Sequence, residues 1–241
     1  MPGLLGDTFA EDVEVTERVG FGATYAFGGG TMGSFELQGS VFYRDTSLLS
    51  ESFFTDRGDL DKSDGGVGNT EDLSNFAVSL DAFDLFGAEG LSGRVAYLSQ
   101  EGGVGDLSDQ DAWLIALAYD IPLNEDMSLY PIIEWASSED AQGFGDAISI
   151  PGGGQDVLTL GVGFFTGPWN AAIIYGDRDN EDPIGGDIEE EFWQLSGGYA
   201  FDCGLGLDVA VGGYEDDAGT EDDFFSILLS YELTFGEEDE E

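Results

Sequence analysis

The sequence predicts an all-β fold, an antiparallel up-and-down transmembrane β-barrel of about 11 to 12 strands that closes by itself or forms part of a larger barrel. Three observations predict it. Runs with period-two alternation recur along the chain, the apolar side of each run is bulky, and the connections alternate between short and long. No apolar run approaches ~18 residues, so no transmembrane helix is expected.

The clearest run is the last one, from Phe224 to Phe235, which is as long as the ~9–11 residues that a tilted membrane-spanning strand needs. Leu228 is its one apolar residue on the polar side, and Phe42 breaks the pattern of an earlier run in the same way. Pro131 cannot donate to a ladder and marks an irregularity. Ten further runs lie at 13–27, 35–43, 76–82, 91–97, 113–121, 129–135, 158–164, 169–175, 193–201 and 205–211.

The run count is odd, whereas single-chain bacterial barrels usually have an even number of strands. Either a further strand lies in residues 1–12 or 45–74, or the chain is the C-terminal part of a longer barrel. Three domains are expected: an acidic lead-in at 1–12, a β-barrel at 13–235 and an acidic tail at 236–241. Met1 to Gly3 does not resemble the start of a secretory signal, so an exported form would be mature or truncated.

The connections favour a membrane barrel, because outer-membrane barrels keep short turns at one end and long loops at the other. Short connections fall near 28–33, 87–90, 122–127, 166–168 and 202–205. Long acidic connections fall near 45–74, 100–111, 137–155, 177–190 and 215–222. Aromatic residues expected in interfacial girdles near the run ends are Tyr97, Tyr119, Trp135, Trp169, Tyr175, Trp193, Tyr199 and Tyr231.

Composition excludes several functions. Six basic residues against 51 acidic ones give a net charge of -45, which offers nothing to the phosphates of nucleic acid. The chain has no His, and Cys203 is its single Cys, so a Ser-His-Asp triad, a Cys-His pair and a His-ligated metal are ruled out. We expect no enzyme activity, no cofactor and no metal site. The segment 177–182 begins like a calcium loop but lacks the required glycine, so solvated acidic loops are the favoured interpretation.

Short motifs resemble porins of the legiobactin-receptor (LbtU-type) family of Gram-negative outer membranes. They are Asp7-Thr8 with Glu17-Arg18-Val19-Gly20-Phe21, the run Val41-Phe42-Tyr43-Arg44-Asp45-Thr46, the run Leu73-Ser74-Asn75-Phe76-Ala77-Val78-Ser79-Leu80, and the run Arg94-Val95-Ala96-Tyr97-Leu98. The resemblance implies a porin-like barrel in the cell outer membrane, with strands preceding this region. It implies lipid and small solutes or ions as partners, and a homo-oligomer as an open alternative.

Seven charged residues fall on the polar side of the runs and are the candidate pore-lining set: Arg18, Arg44, Arg94, Glu36, Asp81, Asp120 and Glu134. An arginine on the lipid side would cost ~2–4 kcal/mol near the midplane, which favours a polar lumen for the three arginines. Opposed charges across a hydrated lumen set ion preference. The alternatives are salt bridges that fill a narrow barrel, or an error in register.

Three functions therefore remain open. The first is a porin-like channel for passive diffusion of small polar solutes or ions. The second is a barrel plugged by residues 45–74, which acts as a siderophore-type receptor or a structural membrane protein. The third is a soluble, acidic, halophilic β-sandwich that serves as a binding module. A sandwich would interleave its apolar side chains in a dry centre between two sheets, whereas a barrel would expose them on one face.

Overall fold

The computed structural model describes residues 18–44, 62–106, 108–140, 153–181 and 185–231, and these form one antiparallel sheet of twelve strands. The strands are β1 Arg18–Gly28, β2 Ser34–Arg44, β3 Asn75–Phe83, β4 Leu91–Gln100, β5 Gln110–Tyr119, β6 Ile121–Asn124, β7 Met127–Glu139, β8 Gly154–Thr166, β9 Trp169–Glu181, β10 Ile188–Ala200, β11 Leu205–Asp216 and β12 Glu221–Tyr231. Three single 3₁₀ turns lie at Gly30–Met32, Lys62–Asp64 and Leu85–Gly87. Within the described residues no helix is long and apolar enough to cross a bilayer.

The sheet is an up-and-down meander, as predicted. Each strand pairs with the next one in sequence, in the order β1-β2-β3-β4-β5-β7-β8-β9-β10-β11-β12, while β6 pairs only with β7. Strands β1 and β12 are the two edges, and the described residues form no ladder between them. The predicted run ends at 13–17 and 232–235, the lead-in 1–12 and the tail 236–241 lie outside the described residues.

Strand β6 is the continuation of β5 across a break. Ala118 pairs with Ile132 and Ile121 pairs with Leu129, so both strands follow the same register against β7. The break faces Pro131, which has no N–H to donate, and this is the irregularity expected from the sequence. The twelve strands therefore make eleven spans, which agrees with the eleven runs seen in the sequence.

The register assigns every paired residue to one of two faces. The face called apolar here carries the large aliphatic and aromatic side chains of the runs, and they are exposed: Phe21, Leu37, Val95, Ile115, Ile173, Leu195 and Ile227 are examples. The opposite, polar face carries the buried residues, including Gln194 and Asn75, both with no exposed surface. The sandwich architecture is wrong for the described residues, because their apolar side chains lie outside one sheet rather than between two.

On the polar face of β7–β10, small residues let the larger side chains pack closely. A Cβ on Gly161 would lie 2.8 Å from the Ile132 side chain, so only glycine leaves room for it. Ala136, Val157 and Phe192 form a buried cluster against which Tyr214 and Phe224 pack. This half of the polar face is therefore packed by its own side chains.

The polar face of β2–β5 has a smaller apolar cluster near the long-connection end. Phe42, Leu98 and Ala112 are buried together, with Ala77 against them. Phe42 lies opposite Gly20, where a Cβ would be 2.6 Å from the Phe42 Cβ. Its break in the sequence pattern therefore reflects a packing role on the polar face.

Candidate functional site

A groove of about 370 Å³ lies on the polar face of β1–β4. Small residues line it because each strand places a short or polar side chain at this level: Gly22, Thr24, Gln38, Ser40, Ala77, Ser79 and Ala96. Short side chains leave the space open, and their hydroxyl and amide groups can exchange hydrogen bonds with water or a polar solute. The groove is therefore a recess with polar and small side chains on the face opposite the apolar one.

A charged cluster borders the groove on the side of the short connections. Arg94 Nε donates to Asp81 Oδ1 at 2.5 Å, and Asp81 is 6% exposed while the Arg94 side chain is 52% exposed. Glu36 lies directly opposite Asp81 in the β2–β3 ladder. The buried carboxylate thus orients an arginine whose guanidinium stays open to solvent, with a second carboxylate beside the pair.

The other predicted pore residues occupy separate places. Arg18 and Arg44 are directly opposite each other at the long-connection end of β1 and β2. Glu134 lies on the polar face of β7, between Ala116 and Thr159. Asp120 falls in the break between β5 and β6, where its N–H donates to Gly90 O. The ladder thus brings Glu36, Asp81 and Arg94 together, while the pore-lining role of all seven stays a prediction.

A second charged network on the polar face was missed by the sequence analysis. Arg178 Nε donates to Glu190 Oε2 at 2.6 Å, Asn180 Nδ2 donates to the same oxygen at 2.6 Å, and Tyr214 Oη donates to Glu190 Oε1. The Arg178 and Glu190 side chains are only 15% and 11% exposed. The signal was available: residues 178 and 190 continue the polar parity of their strands into what was interpreted as a loop.

The strands extend further into the long connections than the sequence indicated. Residues 177–181 and 188–190 belong to β9 and β10, and residues 137–139 belong to β7. Their polar, largely acidic composition suggested loops, yet the ladders continue, with Glu190 buried on the polar face and Glu181 and Glu189 exposed on the other. The calcium-loop resemblance at 177–182 therefore begins within a strand, and the described residues contain no group of three His, Cys, Asp or Glu placed to hold a metal.

A row of amides crosses the polar face at the long-connection end. Arg18 Nη2 donates to Gln100 Oε1 at 3.4 Å, and Gln100 Nε2 donates to Gln110 Oε1 at 2.8 Å. Further along the sheet, Gln155 Nε2 donates to Asn180 Oδ1 at 2.7 Å. These bonds connect β1 to β5 and β8 to β9, and they hold polar side chains against the sheet in place of solvent.

Residues 65–70, near the end of the connection between β2 and β3, are buried: Gly65 and Gly66 lie against the connection after β4, and Gly68 lies against Gln100 of this row. Gly68 N donates to Glu101 O, and Asn75 Nδ2 donates to Gly68 O at 3.1 Å. A Cβ on Gly68 would lie 2.9 Å from Gln100 Oε1, which shows how closely this segment approaches the polar face. The predicted apolar cluster of the same connection, Leu48, Leu49, Phe53 and Phe54, lies outside the described residues.

Two aromatic belts bound the apolar face. The pairs Trp113 and Tyr119, Tyr175 and Trp169, and Trp193 and Tyr199 each have one member at either end of the face and are six residues apart. Six residues correspond to about 20 Å along a strand. The rings contact across strands, as Tyr97 with Trp113 and Trp169 with Tyr199. Aromatic rings at two levels with aliphatic residues between them are typical of girdles at membrane interfaces.

Carboxylates follow directly beyond the girdle at the long-connection end. Glu191 lies opposite both Asp177 and Glu215, so like charges face each other across two ladders. The Glu191 carboxyl, hydrogen-bonded to Glu215, raises the pKa of Glu215. In the turn after β11, the N–H of Thr220 donates to the Asp216 carboxylate and lowers its pKa. This end of the sheet is therefore strongly negative where it meets water.

Comparison with known proteins gives a fold but no family. No family model matches the chain, and no curated protein matches it. The crystal structure of the outer membrane channel DcaP of Acinetobacter baumannii is similar, with a TM-score of 0.51 at 10% sequence identity. The match covers 86% of this chain and 60% of the DcaP chain, so this chain spans less than two thirds of that protein. The likeness supports the fold alone, an up-and-down antiparallel β-barrel architecture.

Proposed function

We propose that this chain forms wall strands of a porin-like outer-membrane channel, through which small polar solutes and ions diffuse passively. One observation carries the proposal: a single meander exposes its aliphatic side chains between two aromatic belts, while its opposite face holds a polar, open groove. Hydrocarbon suits the first face and water suits the second. The proposal places the protein in outer-membrane lipid and gives it no catalytic step.

We propose further that the channel prefers cations. Among the described residues, four arginines and seven carboxylates occupy ladder positions on the polar face: Arg18, Arg44, Arg94, Arg178, Glu36, Asp81, Glu134, Glu190, Asp208, Asp216 and Asp222. The long-connection end adds the carboxylates beyond the girdle, and the whole chain carries a net charge of -45. A negative mouth concentrates cations and repels anions.

The test is a recording from purified protein in a planar lipid bilayer with a salt gradient. Stepwise conductance with a reversal potential of the sign for cations is the expected result. Folded protein that inserts but never conducts would overturn the channel, whereas conductance with anion preference would overturn only the charge filter.

Arg94 offers a sharper test, because it is the solvent-open member of its ion pair. Replacing it with Ala removes the cation paired with Asp81 and adjacent to Glu36, so we expect cation preference to rise. The matched control is Lys62→Ala, which removes an equal charge from a half-exposed residue in the connection between β2 and β3. Equal shifts in reversal potential for the two variants would show that Arg94 acts only through the overall charge.

A second candidate function, a plugged receptor, is favoured by the burial of residues 65–70, where Gly68 lies against Gln100 of the polar face. Such a barrel would hold a ligand at its loops, and the resemblance to legiobactin-receptor porins suggests a siderophore-type ligand. Deleting residues 65–70 should raise conductance several-fold if the segment occludes the lumen. Unchanged conductance in a folded variant would reject the plug.

A further inference from the structure

A row of charged residues crosses the polar face at the level of the Arg94–Asp81 pair. The ladders place five residues side by side on β2, β3, β4, β5 and β7: Glu36, Asp81, Arg94, Ala116 and Glu134. Adjacent members of the row belong to neighbouring strands, which are ~4.8 Å apart. The arginine therefore has two carboxylates on one side of it, whereas on the other side an alanine separates it from a third carboxylate.

Arg94 has hydrogen-bonding capacity left for a solute. Its Nε–H donates to Asp81 Oδ1, and the N–H groups of its two Nη atoms make no hydrogen bond within the described residues. Half of the Arg94 side chain is exposed, while Asp81 is buried. A carboxylate can accept two parallel hydrogen bonds from a guanidinium. Asp81 thus fixes the orientation of an arginine whose outer N–H groups are open to an anion.

Glu134 has no cationic partner among the described residues. It is half-buried on β7, and its neighbours in the ladder, Ala116 and Thr159, carry no charge. The ion pairs within the described part of the chain involve other carboxylates. An ammonium group donates charge-assisted hydrogen bonds to a carboxylate, so Glu134 suits the ammonium end of a solute.

The Cα atoms of Arg94 and Glu134 are about 10 Å apart, since two strand spacings separate β4 from β7. Ala116 places only a methyl group between them. An anion approaches Arg94 from this side, because Asp81 and Glu36 repel it from the other. A solute that reaches both groups needs a carboxylate at one end and an ammonium at the other. An extended dipeptide is about 7 Å long, and a hydrogen bond of about 3 Å at each end lets it bridge the two side chains.

We propose that Arg94 and Glu134 form a binding site for short linear zwitterions of dipeptide length, with the carboxylate of the solute on Arg94 and its ammonium on Glu134. The inference rests on the proposed channel function and deepens it by naming a solute class for the polar face. A free amino acid carries both charges on one carbon and is too short to reach both side chains. The site therefore selects by the distance between two charges, which the overall negative charge of the chain cannot do.

The test is isothermal titration calorimetry of the full polypeptide in detergent micelles, with glycylglycine as the ligand. Two derivatives each lack one charge: glycylglycinamide has no carboxylate, and N-acetylglycylglycine has no ammonium. We expect glycylglycine to bind about tenfold more tightly than either derivative, because each derivative loses the charge-assisted hydrogen bonds of one end. Glu134→Gln should weaken the binding of glycylglycine by a similar factor. The matched control is Glu36→Gln, which removes the same charge on the far side of Arg94 and should leave the affinity unchanged.

Three results would overturn the proposal. No saturable binding of glycylglycine would mean that the two side chains form no site. Equal binding of glycylglycine and either derivative would mean that only one end of the solute is recognised. Equal losses from Glu134→Gln and Glu36→Gln would show that only the summed charge matters. Because calorimetry does not depend on conduction, a protein that binds glycylglycine without conducting would refute the channel and keep the binding site.

Discussion

Leu195→Arg tests whether the apolar face lies against hydrocarbon. Leu195 is 52% exposed and lies between Trp193 and Tyr199, the girdle residues of β10. If that face were in water, an exposed substitution would change the free energy of unfolding by about 0.5 kcal/mol or less. In a bilayer, arginine near the midplane costs ~2–4 kcal/mol, which is roughly a 30- to 900-fold loss in the ratio of folded to unfolded protein.

The assay is equilibrium unfolding by guanidinium in lipid vesicles, followed by tryptophan fluorescence. The control is Glu189→Arg, at an exposed position on the same strand and face but beyond the girdle. It should cost no more than about 1 kcal/mol, because the penalty falls towards the interface. If Leu195→Arg lay within about 0.5 kcal/mol of the native protein, the apolar face would not be in hydrocarbon and the channel proposal would lose its basis.

Three further outcomes are expected. Gly20→Ala should destabilise the protein by about 1–3 kcal/mol, since its Cβ would lie 2.2 Å from Val41 O, whereas Gly39→Ala, with nothing within 4 Å, should be neutral in the same unfolding assay. Glu190→Ala should cost about 3 kcal/mol, because it removes a buried carboxylate that accepts from Arg178, Asn180 and Tyr214, and an equal loss from Glu189→Ala would contradict this. Lowering the pH from 7 to 4 should reduce cation preference in bilayer recordings, because carboxylates take up protons, and Glu215, with its raised pKa, does so before Asp216.

The sequence determined which runs form strands and which side of each run is apolar. Alternation around residues such as Ile115 and Ile173 indicated both the strands and their exposed face, since side chains in a strand alternate strictly between two sides. Pro131 indicated an irregularity for an equally local reason, the missing N–H, whereas the break that faces it between β5 and β6 was not predicted. These properties depend on one residue and its immediate neighbours, so a single sequence suffices to predict them.

Contacts between distant residues were beyond the sequence. The pairing of Arg94 with Asp81 and of Arg178 with Glu190 depends on register, and a shift of one residue would place each side chain on the other face. The strand extension at 177–181 was missed because its acidic composition is typical of a loop. The hydrogen bonds of the ladder are made by the backbone, so they form regardless of the charge on exposed side chains.

The amino-acid sequence alone thus determined the fold class, the two faces and the odd number of spans, because each follows from local periodicity. Only the tertiary structure decided which charges meet, where the groove opens, that Gly68 lies against Gln100 and that the two edges lie apart in the described sheet. Those features depend on how the strands pair in the sheet and in which register, and the sequence of a single strand does not specify this.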